Sequence, residues 1–149
     1  MTWILTMTLS EHPVRGEVWW VNFNAPPTAP SPPPNTPKAM LPTTGDEIYK
    51  TRPAVVMNIS ANWNLDLVMV VPITTWKDRF QVNRYFWMVM LKPDTANGLE
   101  KLSAANVFQF KSVSTSRLET KMGVLTTPQI DLIAATIAFC VGYTPAQGR

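Results

Sequence analysis

The chain has 149 residues, 46% apolar and 15% charged, with a net charge of +3 at neutral pH. That length fits one domain of roughly 100–200 residues; the apolar share excludes wholesale disorder, and charge below the usual ~25% points to a surface that meets a partner. One cysteine, Cys140, and one histidine, His12, exclude an intramolecular disulfide, a Cys/His zinc site and any mechanism needing two imidazoles from one chain.

Residues 1–9 are apolar but have neither a basic flank nor a small-residue cleavage site, so residues 1–13 read as an N-terminal extension. No apolar run approaches the ~18 residues of a membrane span, so the expected compartment is cytoplasmic, with no membrane partner. Residues 17–23 are rich in β-branched and aromatic side chains and predict the first strand. Eight of the twenty-one residues from 24 to 44 are proline, which excludes a central strand or a helix there. The P-x-x-P spacing at 30–34 fits an SH3-type ligand; an extended loop between strands is the plainer reading, and a loop this long is commonly functional.

Continuous apolar runs at 53–59 and 67–73 predict central strands, and 87–91 a fourth, closed by turn chemistry at 93–98. Residues 99–105 fit a helical turn, 107–113 an alternating strand, and 114–118 a short helix start with hydroxyl caps. The last element is a helix. Thr127 suits its N-cap and Pro128 its first turn, while Ile130, Ile133, Ala134, Ile137 and Val141 form an apolar stripe ended by Gly142. Residues 144–149 are left as a tail. The expected fold class is mainly β with helices, a small barrel with a C-terminal helix.

Chemistry is expected where polar residues flank strand ends, at 45–53, 72–79 and 109–112. Gly45 permits a tight turn before an acidic pair. Pro53 holds Arg52 extended and so fixes where its guanidinium points. Thr74 and Thr75 offer hydroxyls at a strand end. A guanidinium, a hydroxyl and a carboxylate together suit phosphodiester chemistry, because the planar fork of Arg matches two phosphate oxygens and can stabilise a pentacoordinate transition state. On residue types alone, the plainer reading of Arg52 is a surface charge or half of a structural ion pair.

Five motifs then occur in order: Arg-Gly-Glu-Val-Trp-Trp-Val at 15–21, Gly-Asp-Glu at 45–47 leading to Arg-Pro-Ala-Val-Val at 52–56, Val-Pro-Ile-Thr-Thr at 71–75, Phe-Gln-Phe-Lys-Ser-Val-Ser-Thr-Ser-Arg-Leu at 108–118, and Gly-Val-Leu-Thr at 123–126 before the helix. Together they resemble the MazF/PemK toxins of bacterial toxin–antitoxin pairs, over residues 14–143 and excluding the insertion at 24–44. The resemblance implies an SH3-like or CcdB-like barrel that forms a homodimer and binds a cognate antitoxin. It further implies an endoribonuclease that cuts single-stranded messenger RNA without metal or other cofactor. The 2′-hydroxyl of the RNA attacks, leaving a 2′,3′-cyclic phosphate and a 5′-hydroxyl.

Carried over position by position, the family's Arg-Pro arginine falls on Arg52, its threonine on Thr74 and its loop glutamate on Glu47. Arg52 would meet the scissile phosphate and Thr74 would donate to a phosphate oxygen. Glu47 would take the 2′-hydroxyl proton, with a structural partnership to Arg52 or Lys50 as the other reading. Lys50, Thr75, Trp76, Lys77, Arg79, Arg84 and Lys111 are the candidate RNA-binding residues. Phe80 and Tyr85 interleave with these cations, either to stack bases or to pack beneath the loop. Some members carry an acidic residue where this chain has Phe108, which leaves that side chain either as core or as a base-stacking surface. The insertion is expected to gate Arg52, with an antitoxin peptide ordering or displacing it. Two alternatives stay open, a CcdB-like binder of DNA gyrase and an inert MazF-like protein.

Overall fold

The computed structural model describes residues 12–24, 33–37, 45–59 and 65–145. Its seven strands are β1 (Glu17–Asn22), β2 (Thr51–Val56), β3 (Leu67–Thr75), β4 (Met88–Leu91), β5 (Ser103–Asn106), β6 (Lys111–Ser114) and β7 (Leu118–Val124). Among the described residues, two α-helices, α1 (Arg79–Val82) and α2 (Thr127–Cys140), and two 3-10 turns accompany them. The strands pair antiparallel in the order β4-β5-β3-β2-β1-β7, with β6 also on β3. Among the described residues the path stays open at β4 and β7, so the expected barrel class takes the form of an unclosed sheet carrying a C-terminal helix.

Strand β3 is the seam. One edge pairs with β2, while the other pairs first with β6, from Leu67↔Ser114 to Val70↔Lys111, and then with β5, from Ile73↔Ala105 to Thr75↔Ser103. Its apolar run suits this place, because Val68, Val70, Val71, Pro72 and Ile73 are all buried. Successive residues of a strand face opposite sides, and the two sides here feed two cores. Val55, Val71 and Ile73 join Val18, Leu91, Ala105, Val107, Ile130 and Ile133 in the larger one. Ala54, Val56, Val68 and Val70 join Val21, Phe23 and Val113 in the smaller.

Helix α2 closes the larger core. Its N-cap is Thr126, one residue before the expected Thr127, and a capping box joins Thr126 to Gln129. Ile130 and Ile133 are buried, which stabilises by about 1.5–3 kcal/mol each. Ala134 and Ile137 pack beside them, but Val141, expected on the same stripe, is 74% exposed. Val141 is already the C-cap, followed by Gly142 at φ 84°. The Tyr143 and Gly142 amides donate to the Ala138 and Phe139 carbonyls, a Schellman ending that needs the left-handed glycine.

Three expectations are corrected. Residues 107–113 are not one strand: Val107–Gln109 form a 3-10 turn between β5 and β6. Val107, Phe110 and Val113 turn inward at a spacing of three, which a period-two reading misses. Residues 99–105 hold no helical turn, because the Asn97 side chain takes the Leu99 amide and β5 follows. The second strand runs 51–56 rather than 53–59, and so includes Arg52. Strand β7 carried no clear sequence signal, since none of its residues is buried. The short helical start does form, with Ser114 capping Thr115–Arg117. The expected extension, the P-x-x-P ligand and the gating loop fall largely on residues 1–11, 25–32 and 38–44, outside the described residues.

Candidate active site

The loop of residues 45–50 leads into β2 and is held from outside. It opens on Gly45 at φ 59°, the left-handed region that glycine enters without strain. Gln109 then grips the main chain on both sides of Glu47. Its Nε2 donates to the Asp46 carbonyl, and its Oε1 accepts from the Ile48 amide at 2.9 Å. At the far end Lys50 sits at φ 69°, its amide donating to Asn24 Oδ1 at 3.2 Å and its carbonyl accepting from the Phe23 amide. Asn24 is buried, and Arg117 Nη1 donates to the carbonyls of Asn22 and Asn24, so the frame behind Lys50 is itself tied down.

Arg52 follows two residues later, half-buried, with Nε donating to the Tyr49 carbonyl at 2.8 Å and the guanidinium 5.5 Å from the Tyr49 ring centre. Burial pulls its pKa down and Tyr49 partly offsets this, but a guanidinium stays charged at neutral pH. The β2–β3 register, Ala54↔Pro72 and Val56↔Val70, sets Arg52 opposite Thr74 when carried to the strand ends. Thr74 in turn faces Ala104, and Asn106 faces Met88. Directly opposed residues share a face of a sheet. Arg52, Thr74, Asn106 and Met88 therefore floor a cleft across four adjacent strands, where the smaller core's face reaches the surface.

This cleft encloses about 1190 Å3, with Glu47, Tyr49, Lys77, Arg79, Tyr85, Trp87, Phe108 and Gln109 along its walls. That exceeds the ~300–1,000 Å3 of a small-molecule pocket and suits a polymer strand better. Segment 76–87, between β3 and β4, is built on stacked rings. Phe80 is buried, edge-on to Trp76 at 5.4 Å, and Tyr85 lies parallel to Trp87 at 4.8 Å. Arg79 covers the Phe80 ring at 5.7 Å. Among the described residues no three His, Cys, Asp or Glu side chains cluster to hold a metal ion, and no helix is long and apolar enough to cross a membrane.

The model of the family described as PemK-like, MazF-like toxin of type II toxin–antitoxin system matches residues 38–141. The chain belongs to this family. Solved structures agree on the fold. MazF from Deinococcus radiodurans is 18% identical over 88% of this toxin and 97% of its own chain, with a TM-score of 0.63. An endoribonuclease in complex with its cognate antitoxin, from a Mycobacterial species, is 16% identical over 91% of this toxin and 100% of its chain, at 0.61. Mycobacterium tuberculosis toxin MazF-mt6 is 22% identical over 64% of this toxin and 90% of its chain, at 0.52. No curated protein matches the toxin by sequence.

Of the residues singled out in the sequence, the toxin brings Glu47, Arg52, Thr74, Lys77 and Arg79 to the cleft. Lys50, Thr75, Trp76, Arg84 and Lys111 are not among its lining residues. The Lys50 ammonium instead lies 5.0 Å from the centre of the Tyr49 ring, and Arg84 is exposed at φ 56°. All three of Phe80, Tyr85 and Trp87 line the cleft, but Phe80 is buried while Tyr85 and Trp87 are only partly covered. Phe108 is 67% exposed, so the core reading of that side chain is replaced by the surface one. Sequence reasoning missed the parts played by Tyr49, Trp87, Asn106 and Gln109. Gln109 lies in a segment marked for chemistry, but its bracing of the loop had no local signal, because its partners lie more than sixty residues away.

Proposed function

We propose that this toxin is an endoribonuclease that cuts single-stranded messenger RNA by attack of the RNA's own 2′-hydroxyl. Arg52 and Thr74 carry this reading: a fixed guanidinium and a hydroxyl share one face of adjacent strands in a cleft also lined by Lys77 and Arg79. Arg52 holds the scissile phosphate and meets the charge that develops on it, as the planar fork of donors is suited to do. Thr74 donates to a phosphate oxygen. Glu47, whose main chain Gln109 fixes on either side, accepts the 2′-hydroxyl proton as general base. The new O2′–P bond forms, the P–O5′ bond breaks, and the leaving oxygen takes a proton from water. The products carry a 2′,3′-cyclic phosphate and a 5′-hydroxyl.

Lys77 and Arg79 bind flanking phosphates at the cleft, with Lys50, Thr75, Trp76, Arg84 and Lys111 as outlying contacts. The toxin domain spans residues 14–143, since β1 lies inside the sheet between β2 and β7 although it precedes the family match. It works in the cytoplasm as a homodimer restrained by a cognate antitoxin, a partnership supported by the antitoxin complex of the mycobacterial structure. The test is incubation with a long single-stranded RNA in EDTA, beside Arg52→Ala. Discrete fragments ending in cyclic phosphate, reduced about 10²–10³-fold in the variant, are expected. Intact RNA over a wide range of sequences and concentrations overturns the reading and makes DNA gyrase inhibition the next assay.

A further inference from the structure

Phe108 is a phenylalanine where its chemistry argues against one, 67% exposed on the wall of a cationic cleft. Its exposure is built in rather than incidental. Val107, one residue before, is anchored in the larger core at 1% exposure, and Gln109, one residue after, is bonded to the main chain of Asp46 and Ile48. A single 3-10 turn, Val107–Gln109, joins these two anchors and turns the side chain between them outward. The Trp87 ring supports it at 5.9 Å and 66°, and Trp87 is itself stacked on Tyr85. The ring is thus held in place before any ligand arrives, which lowers the ordering cost of binding.

Its neighbours decide the ligand. Arg52, Lys77 and Arg79 line the same cleft and outnumber its carboxylates, Asp46 and Glu47. Cations that track a backbone beside an exposed ring are the combination that unpaired nucleic acid takes, with phosphates on the cations and a base on the ring. We propose, resting on the ribonuclease reading, that Phe108 is the stacking platform for one unpaired RNA base bound next to the scissile phosphate. Every base has a π-face, so this contact reads stacking rather than base identity. Removing the base at that position therefore costs much, and exchanging it for another costs little.

Cleavage sites are first mapped on a long RNA in EDTA. A short single strand spanning one site, with a 2′-O-methyl group on the attacking nucleotide, then binds without being cut, and its affinity is read by fluorescence anisotropy. Phe108→Ala and Phe108→Leu are expected to weaken binding about tenfold to a hundredfold, while Phe108→Trp restores it to within a few-fold. Circular dichroism melts check that each variant is folded. An abasic nucleotide at one position should cost the wild type the same factor and cost Phe108→Ala nothing further. Wild-type affinity in Phe108→Leu overturns stacking in favour of plain apolar contact. Unchanged RNA affinity in Phe108→Ala, with weakened self-association or antitoxin binding, assigns the ring to a protein partner and overturns the proposal. RNA cutting by the wild type with no effect at Phe108 sinks the platform alone; no cutting at all sinks the ribonuclease reading and the platform with it.

Discussion

Two glycine-bearing stretches, 45–50 leading into β2 and 92–99 following β4, use their side chains in opposite ways. In the second, Asn97 is fully buried; its Oδ1 accepts from the amides of Asp94 and Leu99, and its Nδ2 donates to the Lys92 carbonyl. Asp94 returns the arrangement by accepting from the amides of Ala96 and Asn97. The turn bonds itself together and packs on β7, where the Val124 amide donates to the Ala96 carbonyl. The first connection is bonded by distant residues, Gln109 and Asn24, acting on its main chain. Its side chains Glu47 and Tyr49 line the cleft together with Arg52. A loop shaped from outside can present its own side chains to a ligand, whereas a loop shaped from within has used them.

The contrast breaks most sharply at Asn97. Asn97→Ala removes three hydrogen bonds and leaves buried partners unpaired, an expected loss of about 3 kcal/mol in urea unfolding. RNA cleavage per folded molecule should not change; a matching fall in activity would mean that the turn and the cleft are coupled. Gln109→Ala is the converse. Releasing the Glu47 loop should lower kcat/KM about tenfold and stability by only about 1 kcal/mol. Full activity in that variant would show that loop position is immaterial to the chemistry.

The smallest effect lies beside the 92–99 turn, at Glu17 on β1. Burial alone would raise its pKa. The Lys121 ammonium at 2.6 Å, with bonds from the Val14 amide and Trp19 Nε1, holds it below the ordinary 4.5. A carboxylate depressed in this way stabilises the fold at neutral pH and loses that contribution as pH falls from about 4.5 through the lower folded value. With Lys121 half exposed the contribution should stay below about 1 kcal/mol. Glu17→Gln should flatten that acid limb and leave cleavage at neutral pH unaltered.

What was legible followed from burial. The apolar run of β3 and the spacing of Ile130 and Ile133 declared their elements because both are covered on the relevant faces. Strand β7 was not legible, since Glu119, Thr120 and Lys121 are exposed and it is held mostly by pairing with β1. At the site, Pro53 announced an extended Arg52, and the strand end announced Thr74. That these two face each other is a matter of register, which one strand's sequence does not contain. The outward turn of Phe108 depended on what pins Val107 and Gln109, and Gln109 is pinned by main chain more than sixty residues away in sequence.

Strand β1 lies between β2 and β7, one partner made soon after it and the other among the last elements of the chain. Glu17 meets Val124, so one edge of β1 stays open until β7 is made, and a contact of such sequence separation forms late. Nascent chains halted before Leu118 are expected to remain sensitive to protease around β1, and chains halted beyond Cys140 to be resistant once clear of the ribosome. Folding to the competent form would then wait until β7 has left the ribosome, which holds back the activity proposed for this toxin until the strand that completes the pairing of β1 has been made.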